Sequence, residues 1–332
     1  MENIVTTLIE KVAILFVLMI PGILLKKLKM VPDGFGKGLS NLVLYIAQPV
    51  LVFLAYIKPY SAEILINSLY VFALSVVAHA LFAVVAMLLF RDAEDGKRRM
   101  LRFATIFSNA AFMGIPLIDA VLESSFPGAT LYASIYNITF NLFLWTLGVR
   151  ICTQNRDVDN DGIDDHKEAK AEGASVMKAL LHPVTLAAAL GLVFFVFSLT
   201  DYIPEAIWSP VYETASHLKN LVAPLSMAVI GLRLPDISFR GAHKDKHSYI
   251  FLALRHIILP LIVIGFIKLV GIVLPIPEVV ATVVVILASA PAATSATMFA
   301  EMYDCDATYV SRLVTISTLI SIVTMPLLLL LV

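Results

Sequence analysis

Two stretches interrupt long apolar runs with proline and small polar residues. They are PheSerAsnAlaAlaPheMetGlyIlePro, residues 107–116, and AlaSerAlaProAlaAlaThrSerAlaThr, residues 288–297. Proline inside a helix removes a backbone hydrogen bond and clashes with the carbonyl four residues back. In lipid, freed backbone groups are tolerated only inside protein or beside a water-filled cavity. Pro116 and Pro291 therefore predict interior sites at mid-depth. Ser108, Ala110, Ala111 and Gly114, like Ser289, Ala290, Ala292 and Ala293, are small enough to let another backbone approach. Two unwound helices crossing there would aim half-helix N-termini at one point. Those ends carry partial positive charge and free amide donors, which suit a carboxylate. Asn109 would orient the ligand with a neutral amide, and Met113 and Thr294 lie in the same two stretches. Asn137 and Asn141, four residues apart on one helix face, line the path or support the crossing, or else hydrogen-bond a neighbouring helix.

Ionisable groups inside apolar runs are costly, so each is a site hypothesis. His79 stands midway along an apolar run; it either takes up and releases a proton near neutral pH or packs as a neutral, hydrogen-bonded ring. Asp119, three residues past Pro116, either binds a proton or cation or reaches the outer interface. Arg255 and His256 open a later apolar run, where Arg255 is expected to snorkel to the inner surface. Glu10 with Lys11, and Glu213 with His217 and Lys219, read as interface anchors or ion pairs; Glu301, Asp304 and Asp306 read as a solvated turn. A different chemistry occurs in the middle of the chain. AspValAspAsnAspGlyIleAspAspHisLysGlu, residues 157–168, matches the calcium-loop template. Its ligands would be Asp157, Asp159, Asp161, the Ile163 carbonyl, Asp165 and a bidentate Glu168, with Gly162 at the turn. Asp164 departs from paired EF-hands, which place an apolar residue there. Ca²⁺ binding and a merely solvated acidic linker are both open readings. No serine elbow, zinc-binding HisGluXXHis or nucleotide-binding glycine loop occurs, so no enzyme chemistry and no required cofactor are expected. Cys152 and Cys305 have no metal-site spacing.

The elements that must position these groups follow from composition. Of 332 residues, 59% are hydrophobic and 15% charged, against about 45–50% and 25% in soluble domains. A soluble enzyme and a disordered chain are excluded. With 24 basic and 25 acidic residues there is no basic excess for nucleic acid. The apolar runs predict spans at about 4–25, 39–57, 64–90, 103–122, 129–149, 180–200, 213–232, 250–273, 278–300 and 308–331. They are continuous rather than alternating, which excludes a β-barrel. Glu2 and Glu10 stand where a signal peptide carries positive charge, so the first run is expected to remain as a span. With the N-terminus outside, 19 of the 24 lysines and arginines fall in inner loops, and both termini are expected outside. The chain divides into a first five-helix repeat (1–150), an acidic cytoplasmic loop (151–179) and a second five-helix repeat (180–332). AlaThrLeuTyrAlaSer at 129–134 matches AlaThrTyrValSer at 307–311, and AsnLeuVal recurs at 41–43 and 220–222 ahead of Pro49 and Pro224. An odd span count per half inverts one half against the other. Inverted repeats with paired interrupted helices are the architecture of secondary transporters. The expected fold is therefore an all-α polytopic membrane protein of about ten helices in a 5+5 inverted repeat.

Several of these segments also carry a family signature. SerAsnAlaAlaPheMetGlyIleProLeu (108–117) resembles the fourth-span signature of the auxin efflux carrier family, which includes prokaryotic carriers and the plant PIN proteins. Agreement extends to 136–148, 223–234, 254–260 and the AlaSerAlaPro segment followed by MetPheAlaGluMetTyr, so it covers nearly the whole chain except the central loop. The resemblance implies broken crossover helices four and nine, on an elevator-type fold like that of sodium–proton antiporters and bile-acid symporters. Spans one, two, six and seven would form a scaffold able to dimerise; the others would form a mobile transport domain. Asn109, Pro116 and Pro291 match crossover positions, and substrates would be organic anions. Small and hydroxyl residues after Pro291 depart from the plant pattern and favour a small, malate-like carboxylate over auxin. The function expected is a secondary organic-anion carrier of the plasma membrane. The alternatives are a sodium- or proton-coupled exchanger on the same fold, or an anion-binding membrane sensor regulated through the calcium-like loop.

Overall fold

A computed structural model describes residues 2–32, 34–153, 176–236 and 245–331. The calcium-like segment, Asp157 to Glu168 with its ligands Asp159, Asp161, Ile163 and Asp165, lies outside the described residues. The described chain is helical throughout: α1 Glu2–Val17, α2 Ile20–Lys27, α3 Phe35–Ala55, α4 Ala62–Leu89, α5 Asp95–Ile106, α6 Ala110–Val121, α7 Ala129–Thr153, α8 Pro183–Phe197, α9 Glu205–Asn220, α10 Val222–Arg233, α11 Lys246–Gly271, α12 Glu278–Ser289, α13 Ser295–Met302 and α14 Ala307–Leu329. Five of these, α3, α4, α7, α11 and α14, are long and apolar enough to cross a membrane. α6, α8 and α12 are shorter apolar helices. Among the described residues no strand forms; Ser108 opposite Ala292 is an isolated antiparallel pairing of extended backbone.

Proline sets the local shape of three helices. In each, a widened turn closed by an i to i+5 hydrogen bond ends two residues before a proline. Gln48 N–H bonds Val43 O ahead of Pro49, Ile115 N–H bonds Ala110 O ahead of Pro116, and Leu259 N–H bonds Leu254 O ahead of Pro260. The wide turn takes up the hydrogen bond and the space that proline denies a regular turn. Pro116 thus sits inside α6 rather than at a break. The chain leaves the helix earlier, at Phe107–Asn109, where Phe107 is extended. That corrects the expectation that the fourth span is interrupted at Pro116.

The helices sort into two packed groups. α3 packs on α8 and α9, and α2 on α10; α4 packs on α5 and α7, α12 on α7 and α11, and α14 on α13 and α5. Backbones touch where α2 meets α10. A Cβ on Gly22 would lie 2.2 Å from Ala228 O, and one on Gly231 would lie 2.1 Å from Met19 O. Both positions require glycine because only a bare backbone fits. α6 contacts both α1 and α10, so the interrupted helix lies on the seam between the groups.

Candidate functional site

The two interruptions meet. Asn109 N–H donates to Pro291 O at 2.7 Å, and Ala293 N–H donates to Phe107 O at 2.9 Å. This reciprocal pair satisfies backbone groups that neither helix can satisfy alone. The crossing brings together the C-terminal ends of α5 and α12, and the N-terminal ends of α6 and α13. Of the residues expected at the site, Ser108, Asn109, Pro291 and Thr294 are gathered here and buried or nearly so.

Arg255 holds the two C-terminal ends. It is fully buried. Its Nε donates to Ala290 O at 3.0 Å, one terminal nitrogen to Thr105 O at 3.1 Å, and the other to Ala288 O at 3.0 Å and Ala290 O at 2.7 Å. A cation against the negative ends of two half-helices is favourable, and the guanidinium fork serves both at once. Arg255 therefore does not snorkel. α11 begins at Lys246, so Arg255 lies nine residues in, about 13 Å along the axis, beyond snorkelling reach. Its neighbour His256 contacts Ser317 Oγ at 2.9 Å and Thr324 Oγ1 at 3.1 Å, while Ser317 Oγ accepts the Ala292 N–H at 2.9 Å. Arg233 of α10 donates to Thr294 O at 2.9 Å.

The remaining candidates separate. Asn109 is 2% exposed; its Oδ1 accepts the Thr294 hydroxyl at 3.5 Å, and its Nδ2 has no partner among the described residues. Met113 and Gly114 form the first turn of α6, and both their N–H groups bond Asn109 O. A Cβ on Gly114 would come 2.4 Å from Leu287 Cδ2, so this glycine serves the contact of α6 with α12. Ser289 bonds back to Val285 O at 2.6 Å and Ile286 O at 3.1 Å, which leaves its hydroxyl occupied within its own helix. Asn137 and Asn141 are buried in α7, and Asn137 Oδ1 and Asn141 Nδ2 lack partners among the described residues. His79 is buried against Tyr136 and Phe143, each ring 5.2 Å away. Its Nδ1 lies 2.8 Å from Ser75 O. A carbonyl only accepts, so Nδ1 carries a proton and Nε2 faces the interior without a partner among the described residues. Asp119 is at the far end of α6, where it pairs with Lys219 at 2.9 Å and accepts from Thr130 Oγ1 at 3.1 Å. Among the described residues, no group of three His, Cys, Asp or Glu side chains could hold a metal.

Apolar helices crossing through two broken segments, with unpaired polar groups buried at the crossing, define a membrane transporter. A family model described as membrane transport protein matches residues 7–329. The chain belongs to that family, the auxin efflux carriers, and is not an enzyme. It is 26% identical over 323 residues, 96% of each chain, to an uncharacterized transporter of Methanothermobacter thermautotrophicus.

Proposed function

We propose that this protein is a secondary carrier of small organic anions that works by alternating access. The reading rests above all on the reciprocal backbone pair between Asn109 and Pro291 and between Ala293 and Phe107. That pair holds the N-terminal ends of α6 and α13 at one place, where free amides and partial positive charge stabilise a carboxylate. Arg255 adds a buried cation bonded to backbone carbonyls only, so an anion at the crossing meets a positive field. In this reading the chain forms ten spans in a five-plus-five inverted repeat. α1–α3 and α8–α10 form a scaffold that pairs two copies, and α4–α7 with α11–α14 carry the site across the bilayer in an elevator motion. His79 and Asp119 remain candidates for a coupling ion. The positive-inside rule favours both termini outside in the plasma membrane.

The test is flux. Purified protein in liposomes should take up radiolabelled mono- or dicarboxylates down an imposed gradient, and Asn109→Ala should lower uptake about 10- to 100-fold, as expected when a buried hydrogen bond to a charged group is lost. Binding without flux would turn the reading toward a membrane sensor. Flux of Na⁺ or H⁺ with no acid requirement would turn it toward an ion exchanger.

A further inference from the structure

The seam opposite the crossing carries two buried polar side chains with unpaired atoms. Gln48 of α3 is fully buried, and its Nε2 donates to Ala111 O at 3.0 Å. Ala111 follows Asn109 by two residues, in the first turn of α6. Because a carbonyl only accepts, this bond fixes which end of the amide is which. Nε2 faces α6, and Oε1 is left as a buried acceptor with no partner among the described residues. Ser226 of α10 is also fully buried with an unpartnered Oγ among the described residues. It lies seven residues before Arg233 in the same helix, about two helical turns. Arg233 holds Thr294 O. Ser226 thus lies on the same face of α10 as Arg233, whose guanidinium reaches the crossing.

The hydrogen-bonding inventory is complementary. Asn109 Nδ2 can only donate, Gln48 Oε1 can only accept, and the Ser226 hydroxyl can do either. A bare carboxylate fills the donors and leaves Oε1 dry, which costs free energy in a buried site. We propose that Gln48 Oε1 accepts a hydrogen bond from the substrate itself, so that the crossing selects acids carrying a hydroxyl or amine donor over the same acids without one. This inference rests on the anion-carrier reading above and narrows its substrate class.

Matched acids test it: lactate against propionate, and malate against succinate. Affinities are read from thermal shifts of the full-length purified protein, and uptake from liposomes. The wild type is expected to prefer the hydroxylated member of at least one pair by about tenfold. Gln48→Met, which keeps the length and removes the acceptor oxygen, should bring that ratio close to one. Where Gln48→Met does not melt cooperatively, Gln48→Asn withdraws the amide by one methylene and should lose the preference likewise. Equal affinity for both members in the wild type, or an undiminished ratio in the Gln48→Met or Gln48→Asn protein, overturns the role of Gln48 and leaves the carrier reading standing. Neither binding nor flux for any acid of either kind overturns both.

Discussion

The two interrupted helices meet at one point but are built differently. At the first, Phe107–Asn109 leaves the helix with no proline, and Asn109 turns a side-chain amide into the crossing with a single contact of 3.5 Å to Thr294. At the second, Ala290, Pro291, Ala292 and Ala293 offer only backbone, and that backbone is clamped from outside. Arg255 holds Ala288 O and Ala290 O, Ser317 holds Ala292 N–H, and Arg233 holds Thr294 O. One break presents a functional group; the other is a fixed platform against which that group is set. Two breaks that meet at one crossing need not share a job. Side-chain removal at the two breaks should therefore fail in different assays.

Arg255 is the largest test. Arg255→Met strips three carbonyls of their donor and leaves two helix ends uncompensated in the interior. It should cost about 3–5 kcal/mol, a large part of a typical 5–15 kcal/mol stability, and is read as loss of a cooperative melt and of monodisperse protein. Arg255→Lys should recover part of this, because one ammonium cannot span both helix ends. A stable, active Arg255→Met protein would remove the clamp from the comparison. Asn109→Ala comes next and should behave in the opposite way. Uptake should fall about 10- to 100-fold while the melting temperature shifts little, since the side chain makes no strong bond in the fold. Ser317→Ala should cost about 1–2 kcal/mol by stranding Ala292 N–H and one nitrogen of His256. Its uptake loss should be no larger than that stability loss explains. A pure transport defect in Ser317→Ala would make the second break functional as well.

Much of this was legible in the residues. The apolar runs matched the long helices α3, α4, α7, α11 and α14 to within several residues, but the run at 4–25 divides into α1 and α2 and the run at 213–232 into α9 and α10, because hydropathy does not register a break between two apolar helices. The paired prolines pointed to the two broken regions. Pro116 misplaced the first break because a preceding wide turn lets α6 accept it, and the real exit at Ser108 and Asn109 is stabilised by the partner segment, which local sequence does not show. Arg255 was misjudged for a related reason. Four extra residues at the start of α11 turn an interface position into an interior one. Gln48 carried a readable signal, a polar residue in an apolar run just before Pro49. Ser226 did not, since a lone serine in a helix most often satisfies itself on a backbone carbonyl one turn back.

The smallest test concerns how each broken helix hands over to the next. After α6, Glu123 caps the start of α7 from a distance, accepting Gly128 N–H at 3.0 Å and Thr130 N–H at 2.8 Å, and pairing with Lys58 at 2.8 Å. After α13, Asp306 caps α14 alone, accepting Tyr309 N–H at 2.8 Å. Burial of Glu123 works to raise its pKa, but the Lys58 charge and these hydrogen bonds outweigh it, and the carboxyl is held below its ordinary value. A depressed carboxylate contributes stability that is present above the unfolded pKa and is lost as pH falls through the folded one. Glu123→Gln should therefore cost about 1 kcal/mol at neutral pH, and the gap to the wild type should close as the pH drops below the ordinary carboxylate range. Asp306→Asn should cost only tenths, because asparagine caps nearly as well as aspartate and no lysine loses its partner. Melting curves of the two variants across that range separate the cases. Equal effects with equal pH dependence would mean that Lys58 adds nothing, and that the two handovers are the same device after all.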